Sequence, residues 1–289
     1  MTATPAARPR PTALFATVLR TERLTPAMVR LVLGGVGLSS FVPSPHADSY
    51  VKLVFLPEGS AGELPLAADG RVDLDAVRAS SPADQQPRLR SYTVRAFDPQ
   101  TLELTIDVVV HGEEGLAGPW ADAAQPGDEI LLLGPGGAYS PAADADWHLL
   151  IGDSSALPAI AVALERLPAD ARGHAFVEVH DPHDEIPLTT PDGVRVHWVH
   201  RGHGVVGLAL VEAVQDLAWP EGVPHAFVHG EAGTVKELRH HLRVERGLPR
   251  TRLSISGYWR LGATDEAWRA AKKDWARTIE ADEQAVGLD

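Results

Sequence analysis

The chain of 289 residues contains no cysteine. That one absence removes disulfides, thiolate zinc sites, cysteine nucleophiles and iron–sulfur ligation by this chain together. Any redox chemistry must then rest on a bound organic cofactor or on ligands other than sulfur. Long hydrophobic runs are missing too. No window approaches the ~18 apolar residues of a membrane span, and residues 1–12 are rich in Ala, Pro and Arg without the apolar core of a signal peptide. A soluble, cytoplasmic protein with a flexible N-terminal tail is expected. Positive charge is scarce: Lys and Arg number 26 against 39 Asp and Glu, a formal net charge of −13. This argues against nucleic-acid binding, because a phosphate backbone rewards cationic surface. On the same ground, a local cluster of Arg and Lys carries more information than usual. No Ser/His/Asp order and no carboxylate pair stands out, so nothing demands triad or acid–base catalysis. The 13 histidines do not read as a metal site either. His197 and His200 are three apart on a strand and face opposite sides, and His203 falls in the Gly-rich turn beyond.

What is present divides the chain in two. From Ala13 to about residue 143 the pattern is short strands: Leu14–Glu22, Met28–Leu33, Tyr50–Phe55, Arg90–Phe97, Leu102–Val110 and Glu129–Leu133. In the fifth, Leu102, Leu104, Ile106 and Val108 alternate toward one side. One short helix is read over Gly115–Ala124. Six strands with so little helix predict an antiparallel six-stranded barrel. Pro57–Pro87 has little periodicity and a length that suits a lid or binding loop, with a helical turn over Asp73–Ala79. From residue 144 to 289 strands alternate with helices. Strands at Trp147–Ile151, His174–His180, Val194–His200, His225–His229 and Arg252–Ser256 predict a parallel sheet with right-handed crossovers. A last helix, Asp265–Glu280, places Trp268, Ala271, Trp275 and Ile279 on one packing face.

Four local features invite chemistry, and each has a plain alternative. Arg90-Ser91-Tyr92-Thr93-Val94-Arg95 mixes cations, a ring and hydroxyls. It suits a flavin, whose phosphates an arginine clamps and whose ring an aromatic covers, and equally suits a half-exposed strand with solvated arginines. Lys52 interrupts an apolar strand, either facing solvent or lining a pocket. His111 ends a strand just before the Gly115 helix, whose first amides are free to hold an anion. Gly152-Asp153-Ser154-Ser155 ends the first parallel strand, the place where such sheets bind ligands. It lacks the G-x-G-x-x-G set and so is not the usual dinucleotide fingerprint. His229-Gly230-Glu231-Ala232 ends a later strand in the same manner.

Taken in order, the motifs resemble those of the siderophore-interacting proteins, a branch of the ferredoxin–NADP reductase superfamily. The likeness runs from Arg90–Arg95 through Asp107-Val108-Val109-Val110-His111-Gly112, Gly115 to Trp120-Ala121, Pro126-Gly127-Asp128 and Gly134-Pro135-Gly136-Gly137. It continues through Gly152–Ala159, Gly230-Glu231-Ala232 and Gly257-Tyr258-Trp259-Arg260-Leu261-Gly262. Any one piece is weak, but the ordered set is specific. The resemblance implies a β plus α/β molecule of two domains: an FAD-binding barrel over 13–143 and a nucleotide-binding-like α/β domain over 144–289.

The resemblance also implies reduction of ferric siderophores through FAD, with NAD(P)H or ferredoxin as electron donor; separately, the acidic surface and the lack of a heptad seam make a monomer the expectation. By the same likeness Arg90 holds the FAD phosphates, Tyr92 lies against the isoalloxazine and Thr93 bonds near its N5. Arg95, Asp107, His111 and Trp120 join the FAD contacts, and the amides of Gly115, Leu116 and Ala117 face the pyrophosphate. Asp153 and Ser155 stand at the cofactor turn, although Ser154-Ser155 departs from the Glu-Thr pair common in the family. Lys52 and Arg260 are the basic residues that meet the siderophore. Apart from the resemblance, no arginine is clearly placed for a nicotinamide 2′-phosphate, with Arg172 and Arg201 the weak candidates, so the choice between NADH and NADPH stays open. A general NAD(P)H:flavin or quinone reductase and a siderophore-binding module without turnover are the alternatives.

Overall fold

The computed structural model describes residues 12–57, 64–112 and 115–288. The expected N-terminal tail lies outside the described residues up to residue 11, and Thr12 already belongs to a strand.

The first unit holds β1 (Thr12–Thr25), β2 (Met28–Gly34), β3 (Tyr50–Phe55), β4 (Val72–Asp73), α1 (Leu74–Ser80), β5 (Arg88–Thr93), β6 (Ala96–Asp98), β7 (Glu103–Val109), α2 (Ala117–Ala123) and β8 (Glu129–Gly136). The strands are antiparallel in the order β5-β3-β8-β1-β2-β7-β6. β5 and β6 are one strand bent at Val94-Arg95. Before the bend it pairs with β3, and beyond it Arg95 N donates to Thr105 O at 2.9 Å and Ala96 pairs with Thr105 on β7. The bend closes the sheet on itself, which gives the expected six-stranded barrel. Its interior is filled by residues two apart on each strand, as alternation requires. Leu31, Leu33, Val51, Leu53, Leu104, Ile106 and Val108 are all buried.

The 57–87 stretch differs from expectation. Beyond residues 58–63, which lie outside the described residues, it packs on the barrel wall. Val72, Leu74 and Val77 cover Ala13, Val54 and Leu131 on the wall's outer face. Asp73 caps α1 by accepting from Asp75 N and Ala76 N, both at 3.1 Å. So few apolar residues, split between a two-residue strand and a short helix, show no period in the sequence.

The second unit holds β9 (Trp147–Asp153), α3 (Leu157–Glu165), β10 (Gly173–Val179), β11 (Val194–His200), α4 (Leu208–Gln215), β12 (Pro224–Glu231), α5 (Ala232–His240), β13 (Leu253–Trp259) and α6 (Asp265–Ala285). Its sheet is parallel, in the order β11-β10-β9-β12-β13. The order reverses between β9 and β12, so Gly152-Asp153 and Gly230-Glu231 end side by side at the switch point where such folds bind ligands. α4 and α5 cover one face. α3 and the barrel residues Met28, Ala47 and Tyr139 share the other, which joins the two units in one apolar core. The Arg95 guanidinium also pairs with Glu165 at the end of α3, with Nη1 2.9 Å from Oε2.

α6 starts at Thr264, whose hydroxyl accepts from Ala267 N at 3.2 Å. Its buried stripe includes Trp268, Ile279 and Glu283, with Lys272 and Trp275 half-buried; Ala271 is exposed, contrary to expectation. At ~100° per residue, Lys272 falls closer than Ala271 to the axis through Trp268, Trp275 and Ile279. Among the described residues no helix is long and apolar enough to cross a membrane.

Candidate functional site

The barrel gathers the residues of its first constellation on adjoining strands. Arg90, Tyr92 and Thr93 lie on β5, and Lys52 lies on β3 directly opposite Ser91. β7 runs back past β5 and leads into His111, Gly115, Leu116 and Ala117 at the start of α2. Trp120 on α2 meets Phe55 of β3 edge-on, with centroids 5.6 Å apart. Tyr92 packs on the barrel core, and burial raises its phenol well above the usual range.

Partners separate these residues into two kinds. Arg90 is engaged: Nη1 donates to Asp265 Oδ2 at 3.1 Å and to Glu266 Oε1 at 2.7 Å, both in the first turn of α6. Asp107 is engaged as well. Its two oxygens accept from Arg30 Nε at 2.7 Å and Nη2 at 2.8 Å, a cross-strand fork with the Asp107 side chain fully buried. This bond, more than the opposing cost of burial, raises the Arg30 guanidinium further. Asp107 therefore shapes the site through Arg30, and its own side chain is fully buried behind that fork. By contrast, the Thr93 hydroxyl, the exposed His111 ring and the Lys52 ammonium make no hydrogen bond to a described residue. The buried Arg95 Nε likewise has no hydrogen-bond partner.

These free donors decide whether the residues fit FAD. A dinucleotide brings phosphate oxygens, a flat ring and a polar ring edge. The orphaned buried N–H of Arg95, a free hydroxyl beside the partly buried Tyr92 and the uncapped first turn of α2 supply the matching chemistry. The donor set fits.

At the switch point the side chains are acidic and already satisfied. Asp153 Oδ1 accepts from Ser155 N at 2.9 Å and from the Ser155 hydroxyl, while Oδ2 accepts from Glu231 N and Trp259 Nε1, both at 2.8 Å. Asp153 and Ser155 are thus brought together, as braces between the ends of β9, β12 and β13. Gly230 lies against this carboxylate at φ +142°, where a Cβ would come within 2.7 Å of Asp153 Oδ2. Glu231 caps α5 by accepting from Thr234 N at 2.9 Å, and its other oxygen takes Leu261 N at 3.1 Å. Glu178 accepts from Gly207 N with both oxygens at 3.1 Å. Burial raises its carboxyl, an effect opposed by that amide and by Arg201. Arg201 Nε stands 3.5 Å from Glu178, whereas Arg172 is exposed at the opposite end of the sheet.

Arg260 follows β13 directly. It is exposed and rests over the Trp268 ring at 6.0 Å. The expected divergence of two histidines is also seen: His197 stacks on Phe176, whereas His200 Nε2 meets Glu185 at 2.7 Å. Sequence reasoning missed Arg30, Glu165, Asp265 and Glu266. An acidic pair just after a Thr cap reads as an ordinary helix start, which hid the second use of Asp265 and Glu266.

A closed antiparallel barrel docked on a parallel sheet, with Gly152-Asp153 and Gly230-Glu231 at its switch point, defines the two-domain fold of the ferredoxin–NADP reductase type. Comparison with known proteins narrows the class. The chain belongs to the siderophore-interacting protein family: the model of the siderophore-interacting FAD-binding domain matches residues 17–139, and that of the siderophore-interacting protein matches residues 145–262. It is 35% identical over 254 residues to the ferric vibriobactin reductase ViuB of Vibrio cholerae, covering 86% of this chain and 90% of that protein. It is 31% identical over 248 residues to the NADPH-dependent ferric-chelate reductase of Escherichia coli, covering 84% and 91%. Among solved structures, the siderophore-interacting protein SipS of Aeromonas hydrophila superposes with a TM-score of 0.77 at 31% identity, over 93% of this chain and 100% of that one.

Proposed function

We propose that the chain is an FAD-dependent ferric-siderophore reductase, a monomer of the cytoplasm that takes electrons from NAD(P)H and releases iron as Fe(II). One observation carries the reading: the strand that bears Arg90, Tyr92 and Thr93 is hydrogen-bonded to the strand that bears Lys52, a half-buried cation with no carboxylate partner among the described residues. An electron-carrying ring and a charge that attracts an anionic chelate are then neighbours. The two reductases named above act on ferric chelates, one of them with NADPH.

In this reading Arg90, Arg95 and the amides of Gly115, Leu116 and Ala117 bind the FAD phosphates. Tyr92 covers the ring, Thr93 donates to its polar edge, and His111 and Trp120 close the site. Asp107 fixes Arg30 and with it the base of the site. Asp153 and Ser155 hold the strand ends against which the nicotinamide nucleotide lies. Lys52 and Arg260 orient the siderophore. Bound FAD supplies the conversion of a two-electron donor into one-electron steps, so no protein nucleophile is required. Each Fe(III) gains one electron, and hard oxygen ligands hold the lower-charged Fe(II) less well. The net charge of −13 repels an anionic chelate at long range, but salt screens this beyond ~8–10 Å, where the local cations take over.

The test is anaerobic and optical. The purified protein is expected to be yellow, to bleach with NADH or NADPH, and to regain its colour with a ferric siderophore while a chelator traps Fe(II). A colourless protein that binds no FAD rejects the reading. Bleaching without reoxidation by the chelate leaves a general flavin reductase, and failure of both nucleotides with success of reduced ferredoxin reassigns the donor. Tyr92→Ala is expected to lose FAD or shift its potential, and Lys52→Ala to raise KM for an anionic siderophore more than for a neutral hydroxamate.

A further inference from the structure

The parallel sheet has a second end, away from the switch point. There the starts of β9, β10 and β11 and the loop before β12 surround a cavity of about 650 Å³, the size of an ordinary small-molecule site. Trp147, Arg172, His174 and Arg195 line it, with the carboxylates of Asp192 and Glu221 on its rim. Arginines in this protein mostly meet carboxylates: Arg20, Arg30, Arg95, Arg239 and Arg252 each hold one. Arg172 and Arg195 make no hydrogen bond or ion pair with a described residue, although two carboxylates share their cavity.

Strand pairing sets four side chains in a block. His174 on β10 lies opposite Arg195 on β11. Arg172 precedes His174 by two residues and His197 follows Arg195 by two, so alternation puts all four on one face of the sheet. The two imidazoles meet there: His174 Nδ1 is 2.9 Å from His197 Nε2, and one donates to the other. His197 lies flat on Phe176 with centroids 4.3 Å apart, and His174 stands edge-on to Trp147 at 6.2 Å. Both rings are thereby fixed, and His174 Nε2 is left without a described partner. Burial, the main cause, holds both imidazoles below their ordinary range; Arg195 adds to this at His174, and His174 and Arg195 add to it at His197. The other charges around the pair are Arg172, Asp192 and Glu221 of the cavity and, behind Trp147, Arg246 over the Trp219 ring. A neutral imidazole pair takes up a proton once a bound negative charge offsets the neighbouring arginine.

We propose that this cavity binds a small phosphate monoester carrying a flat ring, with Arg172 and Arg195 on the phosphate and the His174–His197 pair taking up one proton as it binds. The site stands apart from the reductase reading, whose residues lie on the barrel and at the other end of the sheet. Two guanidinium forks on adjoining strands offer more donors than the two oxygens of a carboxylate accept, whereas a tetrahedral dianion with three free oxygens takes both. His174 Nε2 donates beside them when the pair is protonated. Trp147 and Pro220 give the ring an apolar wall. Asp192 and Glu221 oppose the charge, so a bare anion is held less well than one whose ring adds contact.

Phenyl phosphate, inorganic phosphate and phenyl sulfate are titrated calorimetrically into the purified protein. Arg172 and Arg195 are exposed, so their variants are expected to fold. Arg172→Gln and Arg195→Gln are each expected to raise Kd for phenyl phosphate about tenfold, and Asp192→Asn to lower it about twofold. Inorganic phosphate is expected to bind about tenfold more weakly than phenyl phosphate. Phenyl sulfate keeps one fixed charge, so any proton taken up with it goes to the protein. That uptake is expected in the wild type, as a binding heat that varies with the ionisation enthalpy of the buffer, and is expected to vanish in His174→Asn. Wild-type affinity in the double variant Arg172→Gln/Arg195→Gln overturns the proposal, as does a wild-type protein that binds no phenyl phosphate. Equal affinity for inorganic phosphate overturns the place given to the ring, and a buffer-independent heat in the wild type overturns the role of the imidazole pair.

Discussion

On the barrel, Lys52, Thr93, His111 and Arg95 Nε present donors that no described residue satisfies. At the edge of the parallel sheet, Asp153, Glu178 and Glu231 present acceptors that backbone amides and side chains already fill. The first edge is cationic and held in reserve; the second is anionic and spent on closing the strand ends. A residue in reserve can be removed at the expense of ligand affinity alone. A spent one carries the fold, because its loss strands buried N–H groups. This contrast also bears on the two ligands. In the proposed reading the flavin and the chelate would meet charges that favour them, whereas a dinucleotide donor bound at the switch point would lay its phosphates near carboxylates, which favours a donor that binds briefly.

Acid gives the largest expected effect, through two buried histidines of the parallel-sheet unit. Burial, the main cause in both, pushes His148 down to about 4 and His229 down to about 3. The His229 ring is stacked 3.8 Å from Phe227 on the barrel-facing side of the sheet. Their folded values lie below the unfolded 6.5, so the unfolded chain takes up protons that the native state refuses. Their stabilisation is full above pH ~6.5 and is lost as pH falls through ~4 for His148 and ~3 for His229, at roughly 3 kcal/mol or more each. His229→Phe, which keeps the stack, is expected to flatten this fall in chemical denaturation. A fall as steep as in the wild type would show that His229 is not a group that acid charges on unfolding.

Next in size is a pair of alanine variants. Asp153→Ala deprives Glu231 N, Trp259 Nε1 and Ser155 of their acceptor. It is expected to cost about 3–4 kcal/mol, or about 10 °C in Tm. Lys52→Ala removes a half-buried charge that makes no hydrogen bond or ion pair with a described residue and is expected to leave Tm within ~1 °C. Thermal unfolding without added nucleotide or chelate measures both, and equal losses would show that Lys52 is also a structural residue.

Much of this was legible in the sequence, for identifiable reasons. The barrel strands announced themselves through alternation, which the interior of a small barrel enforces residue by residue. Gly152-Asp153 and Gly230-Glu231 were found because a strand followed at once by small and acidic residues marks a sheet end, and their adjacency follows from the strand order. Contacts between elements far apart in the chain were not legible. Arg90 on β5 meets Asp265 and Glu266 on α6, 175 and 176 residues later, and no local pattern records such a distance. Arg30 and Asp107 are 77 residues apart and each looks like a solvated strand residue. Asp153 was read as a cofactor contact because its position was right; that its four hydrogen bonds all stay within the protein depends on Trp259 and Glu231 arriving from two other strands.

The smallest effect asks whether the anionic edge holds the dinucleotide donor back. Glu178 is 3% exposed, and burial raises its carboxyl above the ordinary glutamate range despite Gly207 N and Arg201. An acid raised in the folded state favours the protonated native form, so its contribution is present below the unfolded value of ~4.3 and is lost as pH rises through the folded one. At neutral pH the buried charge is therefore a net cost. Glu178→Gln keeps an oxygen for Gly207 N and removes the charge. It is expected to gain about 0.5–1 kcal/mol at neutral pH, a gain that disappears on acidification below pH ~4. Because Glu178 lines the same small cavity as Asp153, Gly230 and Glu231, KM for NAD(P)H is expected to fall about threefold with kcat unchanged. A variant that is stabilised but keeps the wild-type KM would show that the nucleotide phosphates lie clear of this edge. The acidity of the switch point would then serve the fold alone.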